Sequence, residues 1–148
     1  MTDFVRATIR IAASPEWVWH ILTAPEMTER YVYGCRVVTN WQPGERIDWN
    51  GLVDGKTVTY VTGQVLIYEP HTTLSYSAIN PNANYPHTPE NHLVITMTLA
   101  QDGDDVLLSV SQGDYTKVAD AENRLGHNPE EGWKQMLAAI KTLAEQRC

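Results

Sequence analysis

Three groups of residues in this sequence have the types and spacing to do chemistry. The stretch "YPHTPENH" brings His87, Glu90 and His92 within six residues, a set of nitrogen and oxygen donors that invites a metal reading. Their spacing matches no ligand motif with a mechanical basis, and a loop between prolines is a poor preformed cage, so no metal is expected. In "RIDWNG", Arg46 and Asp48 alternate with Ile47 and Trp49, so one pair faces inward and the other outward. An inward Asp48 would be a general base with a raised pKa. The expected arrangement is the reverse, with Asp48 on the solvated face. There is no G-x-S-x-G turn to expose a serine nucleophile, and Cys35 and Cys148 lie in no nucleophile, metal or disulfide pattern. Both read as free thiols, and no catalytic residue or cofactor is assigned.

The third group is aromatic: five Trp and seven Tyr against one Phe. Trp19, Tyr31, Tyr33, Trp41, Trp49, Tyr60, Tyr76, Tyr115 and Trp133 are candidates to line a cavity for a flat apolar ligand, with tyrosine hydroxyls as its few polar handles. Taken singly, each is an ordinary core or sheet aromatic. It is the group that points to a pocket.

The elements that must position these rings are legible from periodicity. Phe4 to Ala12 alternates with Val5, Ala7, Ile9 and Ile11 on one face, as a half-buried strand does. Ser14-Pro15-Glu16 then starts a helix through Leu22, and Thr23-Ala24-Pro25-Glu26, with capping-box spacing, starts a second that runs to about Tyr31 before Gly34 ends it. From Cys35 the period returns to two through "CRVVTNW", "RIDWNG", "KTVTYVTGQVLIYE" and "TTLSYSAI", a meander of four strands. Gly63 is a candidate bulge that leaves the facing of 57–69 open. "NPNANYPHTPEN", Asn80 to Asn91, is too rich in Pro and Asn for a strand and reads as a long loop. "HLVITMTLA" and "VLLSVSQ", joined by a "QDGDD" turn, add two strands. "GDYTKVADAENRLGH" then connects to a long helix, "NPEEGWKQMLAAIKTLAEQ", with Asn128 as cap and Pro129 in the first turn.

On that helix Trp133, Met136, Leu137, Ile140, Leu143 and Ala144 form one apolar stripe, and the concave face of the sheet is the surface large enough to receive it. Gly132 is anomalous, since Gly in a helix costs about 1 kcal/mol relative to Ala. It predicts that another segment approaches the backbone closely there, and that Gly132→Ala destabilises the protein. Strands in succession with segregated helices give an α+β fold, expected to be one domain over 1–148. The formal charge of −7, from 11 basic against 18 acidic residues, argues against nucleic acid as a partner. The apolar runs are too short for membrane insertion, and the N-terminus lacks a signal-peptide core, so the expected location is cytoplasmic.

The order of these elements, together with "SPEWVWHILTAPEMTERY", "GQVLIYEP", "SQGDY" and "EEGWKQMLAAIKTLAE", resembles the activator of heat-shock-protein-90 ATPase homologue-like family. That family lies within the START and birch-allergen-like superfamily, SRPBCC. The resemblance implies a helix-grip fold: a curved seven-stranded antiparallel sheet around the long C-terminal helix, with two short helices after the first strand. It also implies a cavity for a hydrophobic small molecule, such as a lipid, polyketide or flavonoid-like compound, with Met136, Leu137 and Ile140 joining the aromatic set as its lining. A cyclase- or hydrolase-like enzyme in the same cavity and a chaperone-associated interaction module are the alternatives, and a homodimer is compatible with all three. Many relatives carry a Trp-Trp pair where this chain has Tyr31-Val32-Tyr33, a departure that bears on the polarity of the pocket.

Overall fold

The computed structural model describes residues 3–126 and 128–146; the expectation of a free thiol at Cys148 falls outside them. Strand β1 (Phe4–Ile11) follows its alternation, with Val5 and Ile11 buried and Arg6, Thr8 and Arg10 exposed. Helix α1 (Pro15–Thr23) begins as expected: the Ser14 hydroxyl accepts from the Trp17 amide at 3.2 Å, and Pro15 fills the first turn. Helix α2 (Pro25–Thr28) is shorter than the sequence predicts. Its cap is Ala24, with no side-chain hydrogen bond, because the Thr23 hydroxyl turns back to donate to the Trp19 carbonyl at 2.8 Å.

Thr28, fully buried, then does what no motif announced. Its hydroxyl accepts from the Val37 amide at 3.0 Å and donates to the Cys35 carbonyl at 3.1 Å. One side chain thereby fixes the end of the helical segment to β2 (Arg36–Val38). The remaining strands are β3 (Arg46–Val53), β4 (Lys56–Glu69), β5 (Thr73–Ala78), β6 (Leu93–Asp102) and β7 (Asp105–Gly113). They form one sheet in the order β1-β7-β6-β5-β4-β3-β2, with every neighbouring pair antiparallel.

Register resolves the facing of β4. Val61 pairs with Trp49 and Gly63 with Ile47, both buried, so Val61, Gly63 and Val65 share the concave face. The irregularities lie on either side of Gly63: the pairing skips Tyr60 against β3 and Leu66 against β5. Gly63 itself is not the bulge. It is a close approach, because a Cβ there would lie 1.8 Å from the Ser77 carbonyl oxygen. The same parity puts Ile47 and Trp49 inside, and leaves Arg46 and Asp48 paired on the convex face at 2.9 Å.

The 80–91 loop contains only a turn of 3-10 helix at Pro89–Asn91. It is clipped down at both ends of one amide: Asn91 Nδ2 donates to the Pro86 carbonyl, and its Oδ1 accepts from the Ala119 amide, each at 2.9 Å. The Arg124 guanidinium of helix α3 (Ala121–Leu125) lies 4.4 Å over the Tyr85 ring.

Helix α4 (Pro129–Glu145) buries Leu137, Ile140 and Ala144 and half-buries Trp133, Met136 and Leu143, so the predicted stripe is the packed one. Two local readings are corrected. The Asn128 side chain makes no capping bond; only its carbonyl serves the first turn, accepting from the Glu131 amide at 3.1 Å. At Gly132 a Cβ would meet nothing within 4 Å among the described residues, so none of their segments approaches it, and its outward position removes the reason for a destabilising Gly132→Ala. The seven-stranded sheet, the long terminal helix and the two short helices after β1 together make the helix-grip fold. Among the described residues no helix is long and apolar enough to cross a membrane.

Candidate functional site

Between α4 and the concave face lies an apolar cavity of about 180 Å³. Its floor comes from alternate residues of three neighbouring strands: Val61 on β4, Leu74 and Tyr76 on β5, and Ile95 and Met97 on β6, with Trp49 of β3 at one side. Trp133 and Met136 from the first half of α4 form its roof, and Leu22, Tyr31, Val32 and Tyr33 close the end toward the short helices.

Hydrogen bonds hold several of these rings in place. The Trp133 indole N–H donates to Gln112 Oε1 at 2.7 Å, tying the start of α4 to β7. The Tyr31 hydroxyl donates to the Leu22 carbonyl at 3.3 Å. Trp49 and Tyr76 pack ring against ring, with centroids 5.6 Å apart. The Trp49 indole N–H is buried with no hydrogen-bond partner among the described residues, an arrangement that ordinarily costs about 1–3 kcal/mol.

Electrostatically the cavity is neutral. None of its lining residues is Asp, Glu, His, Cys, Lys or Arg. Burial holds the phenols of Tyr31 and Tyr76 well above the ordinary tyrosine value, and Tyr31 is raised further by its proximity to Tyr76. Both rings therefore present neutral O–H groups. The chemistry this wall can offer is apolar contact, aromatic faces and a few hydrogen-bond donors, with no base poised to take a proton near neutral pH.

At one end the cavity meets the surface at Tyr33, which is 81% exposed. Tyr33 and Gly34 both have left-handed backbones (φ 49° and 80°), and this reversal of the chain presents the ring at the boundary. Its far side borders a second, open groove of about 640 Å³ along β2 and β3, where Val38, Leu52 and Tyr60 are exposed.

The family model for the activator of Hsp90 ATPase homolog 1-like protein matches residues 12–145. The chain belongs to this family. Among solved structures, the solution structure of a Cytophaga hutchinsonii protein is 28% identical, with 97% of this chain and 94% of that one covered at a TM-score of 0.76. A crystal structure from Mesorhizobium loti is 24% identical, with 98% of both chains covered and a TM-score of 0.73. The Aha1 dimer from Colwellia psychrerythraea is 16% identical, with 97% and 96% covered and a TM-score of 0.71. The last two likenesses show the fold alone. No curated protein sequence matches the chain.

In this family member the residues picked from the sequence divide among five places. Tyr31, Tyr33, Trp49, Tyr76, Trp133 and Met136 meet at the cavity. Trp19 and Trp41 do not; they enclose Tyr68, with Trp19 donating to its hydroxyl at 3.3 Å and Trp41 stacked on it at 5.5 Å. Tyr60, displaced by the β4 bulge, crosses over Gly51 into the outer groove and is 43% exposed. Tyr115 belongs to a small separate core with Val5 and Leu93. Leu137 and Ile140 are on the right face of α4 but are packed solid, and they line no part of the cavity.

What the choice of aromatics missed is the aliphatic half of the wall: Leu22, Val32, Val61, Leu74, Ile95 and Met97. Parity held the signal, because Leu74 and Tyr76 share a face and pair with Met97 and Ile95. His87 and His92 each turn back onto their own loop, at 2.9 Å from the Ala83 carbonyl and 2.8 Å from that of Thr88. Among the described residues no group of three His, Cys, Asp or Glu is placed to hold a metal ion.

Proposed function

We propose that the chain works as one cytoplasmic domain that binds a hydrophobic or aromatic small molecule between α4 and the sheet, without transforming it. The observation that carries this reading is the apolar cavity itself, walled by Trp49, Tyr76, Tyr31, Trp133 and aliphatic side chains, at the place where the fold leaves its helix and sheet unpacked. Affinity comes from buried apolar area, about 25 cal/mol per Å² before ordering costs. A cyclase or hydrolase reading ranks lower, because the lining supplies no acid and base pair.

The size of the cavity narrows the ligand. Pockets for drug-sized molecules run to about 300–1,000 Å³, whereas an apolar void of about 150 Å³ takes benzene. At about 180 Å³ this cavity suits one ring or a short acyl segment, and a whole flavonoid or polyketide would extend past Tyr33 into the open groove. Native mass spectrometry of protein from its own host should show a retained small molecule, and ring-sized hydrocarbons should raise the melting temperature. Met136→Trp, which fills the roof, should abolish both. No retained mass and no thermal shift with any ring-sized compound would refute the reading.

A second reading rests on the outer groove and on the family. Val38, Leu52 and Tyr60 expose apolar surface beside the β2 edge, and family members are described as activators of the Hsp90 ATPase. If this chain docks on such a chaperone there, Leu52→Asp should abolish stimulation of its ATPase while Met136→Trp leaves it intact. Equal stimulation by Leu52→Asp and the parent would dismiss the groove.

A further inference from the structure

Among the described residues, two hydrogen-bond donors on rings that line the cavity have no acceptor. The described chain has five indoles, and four of them donate: Trp17 to the Ala144 carbonyl, Trp19 to the Tyr68 hydroxyl, Trp41 to the Thr23 carbonyl and Trp133 to Gln112. The exception is Trp49, whose N–H is buried and unpaired among the described residues. Its neighbour Tyr76 is only 5% exposed, and its hydroxyl makes no hydrogen bond within the described chain, unlike the buried Tyr31 hydroxyl beside it. Trp49 and Tyr76 pack together and both line the cavity. The Trp49 nitrogen has no surface that an acceptor could touch, whereas the Tyr76 hydroxyl is not sealed in this way, and on a cavity-lining side chain that is otherwise buried it marks where an acceptor belongs.

The rest of the wall sets the chemistry of whatever carries that acceptor. With no Lys, Arg or His in the lining, a carboxylate would be stripped of water with no counter-charge, which is prohibitive. The phenols remain protonated, as their raised pKa values require, and so stay donors throughout the neutral range. Every other lining group is apolar. The acceptor must therefore sit on a neutral, mostly hydrophobic molecule.

We infer that the occupant is a neutral, ring-sized molecule with one hydrogen-bond acceptor, an aryl ketone, quinone or aryl ester in class, whose oxygen is taken by the Tyr76 hydroxyl. This deepens the binding reading above and rests on it. The ring fills the space beneath Trp133 and Met136, and the oxygen selects among rings of the same shape. Ordered water on the Tyr76 hydroxyl is the competitor, and a carbonyl that replaces it keeps the hydrogen bond where a hydrocarbon loses it.

The test compares three ligands of nearly one shape, acetophenone, isopropylbenzene and benzoate, titrated into the full-length ¹⁵N-labelled protein. The expected result is that acetophenone binds about tenfold or more tightly than isopropylbenzene, the factor one net hydrogen bond supplies. Benzoate should not bind. Tyr76→Phe keeps the ring and removes the donor, so it should bring the ketone toward the affinity of the hydrocarbon while leaving the hydrocarbon unchanged. Equal binding of ketone and hydrocarbon to the parent protein overturns the inference and leaves an apolar binder standing. Preference for benzoate overturns it in favour of an anion site, and failure of all three to bind overturns the binding reading as well. The three-ligand comparison needs no variant, so poor folding of a substituted protein does not blunt it.

Discussion

The two halves of α4 face the same sheet and end up with different tasks. In the C-terminal half, Ile140 and Ala144 are fully buried, the Trp17 indole donates to the Ala144 carbonyl at 3.2 Å, and Glu145 accepts from the Ala12 amide at 2.8 Å. Lys141 adds a bond to the Arg10 carbonyl at 2.8 Å, so this half is bound to β1 and to the start of α1. In the N-terminal half, Trp133 and Met136 are only half-buried and roof the cavity, with a single side-chain tie to Gln112. The contrast shows how one amphipathic helix can both close a core and leave a space: the stripe continues, but its first turns face the cavity where its last turns face packed side chains.

Substitutions along the helix should separate the two halves. The largest effect is expected at Ile140→Ala, which opens a void in packed core and should cost about 2–5 kcal/mol in urea unfolding without changing ligand affinity. A loss of ligand with no loss of stability would reverse the assignment of the halves. Trp133→Phe removes one hydrogen bond and thins the roof, so it should cost at least about 1 kcal/mol, seen as a drop in the urea midpoint. Gly132→Ala should go the other way and stabilise the protein by about 0.5–1 kcal/mol, because a Cβ there meets open space. A destabilised Gly132→Ala would mean that something does press on this turn in solution.

The smallest effect is the share of the pH dependence that the C-terminal half adds to that of Glu90 and Asp114, whose carboxyls are also held below their ordinary values by hydrogen bonds from Thr88 and Thr116. The Ala12 amide first and Lys141 second hold the Glu145 carboxyl below its ordinary value of 4.5. A depressed folded-state pKa contributes stability that is complete above the unfolded value and is lost as pH falls through the folded one. Stability should therefore decline below about pH 4.5, and Glu145→Gln should flatten that limb in acid unfolding followed by circular dichroism. An unchanged acid limb in the variant would remove Glu145 from the account.

The elements of this fold were legible because each obeys one period over enough residues. The bounds expected for β4 from "KTVTYVTGQVLIYE" are those observed, Lys56–Glu69. The facing of β4 was not legible, because the skipped residues at Tyr60 and Leu66 each shift the parity by one and neither carries a distinctive residue type. The same shift explains Tyr60, an aromatic that moves from the expected cavity to the outer groove. Caps were misjudged where a polar side chain had a competing local partner, as Thr23 does in the Trp19 carbonyl. Half of the cavity wall was missed because aliphatic residues announce burial but not whether the buried side meets atoms or space.

The glycine at position 63 has a consequence for anyone wishing to enlarge or reshape the binding space. It lets the backbone of β4 pass against Ser77, where a Cβ would stand 1.8 Å from a carbonyl oxygen, and the skipped residues flank it three positions away on each side. The spacing of the two strands beneath the cavity is thus a property of main chain geometry, set by where β4 can touch β5, and side-chain exchange in the wall changes the volume without changing that spacing. An engineer seeking room for a two-ring ligand should move the crossing, by relocating a bulge along β4, before trimming a single aromatic.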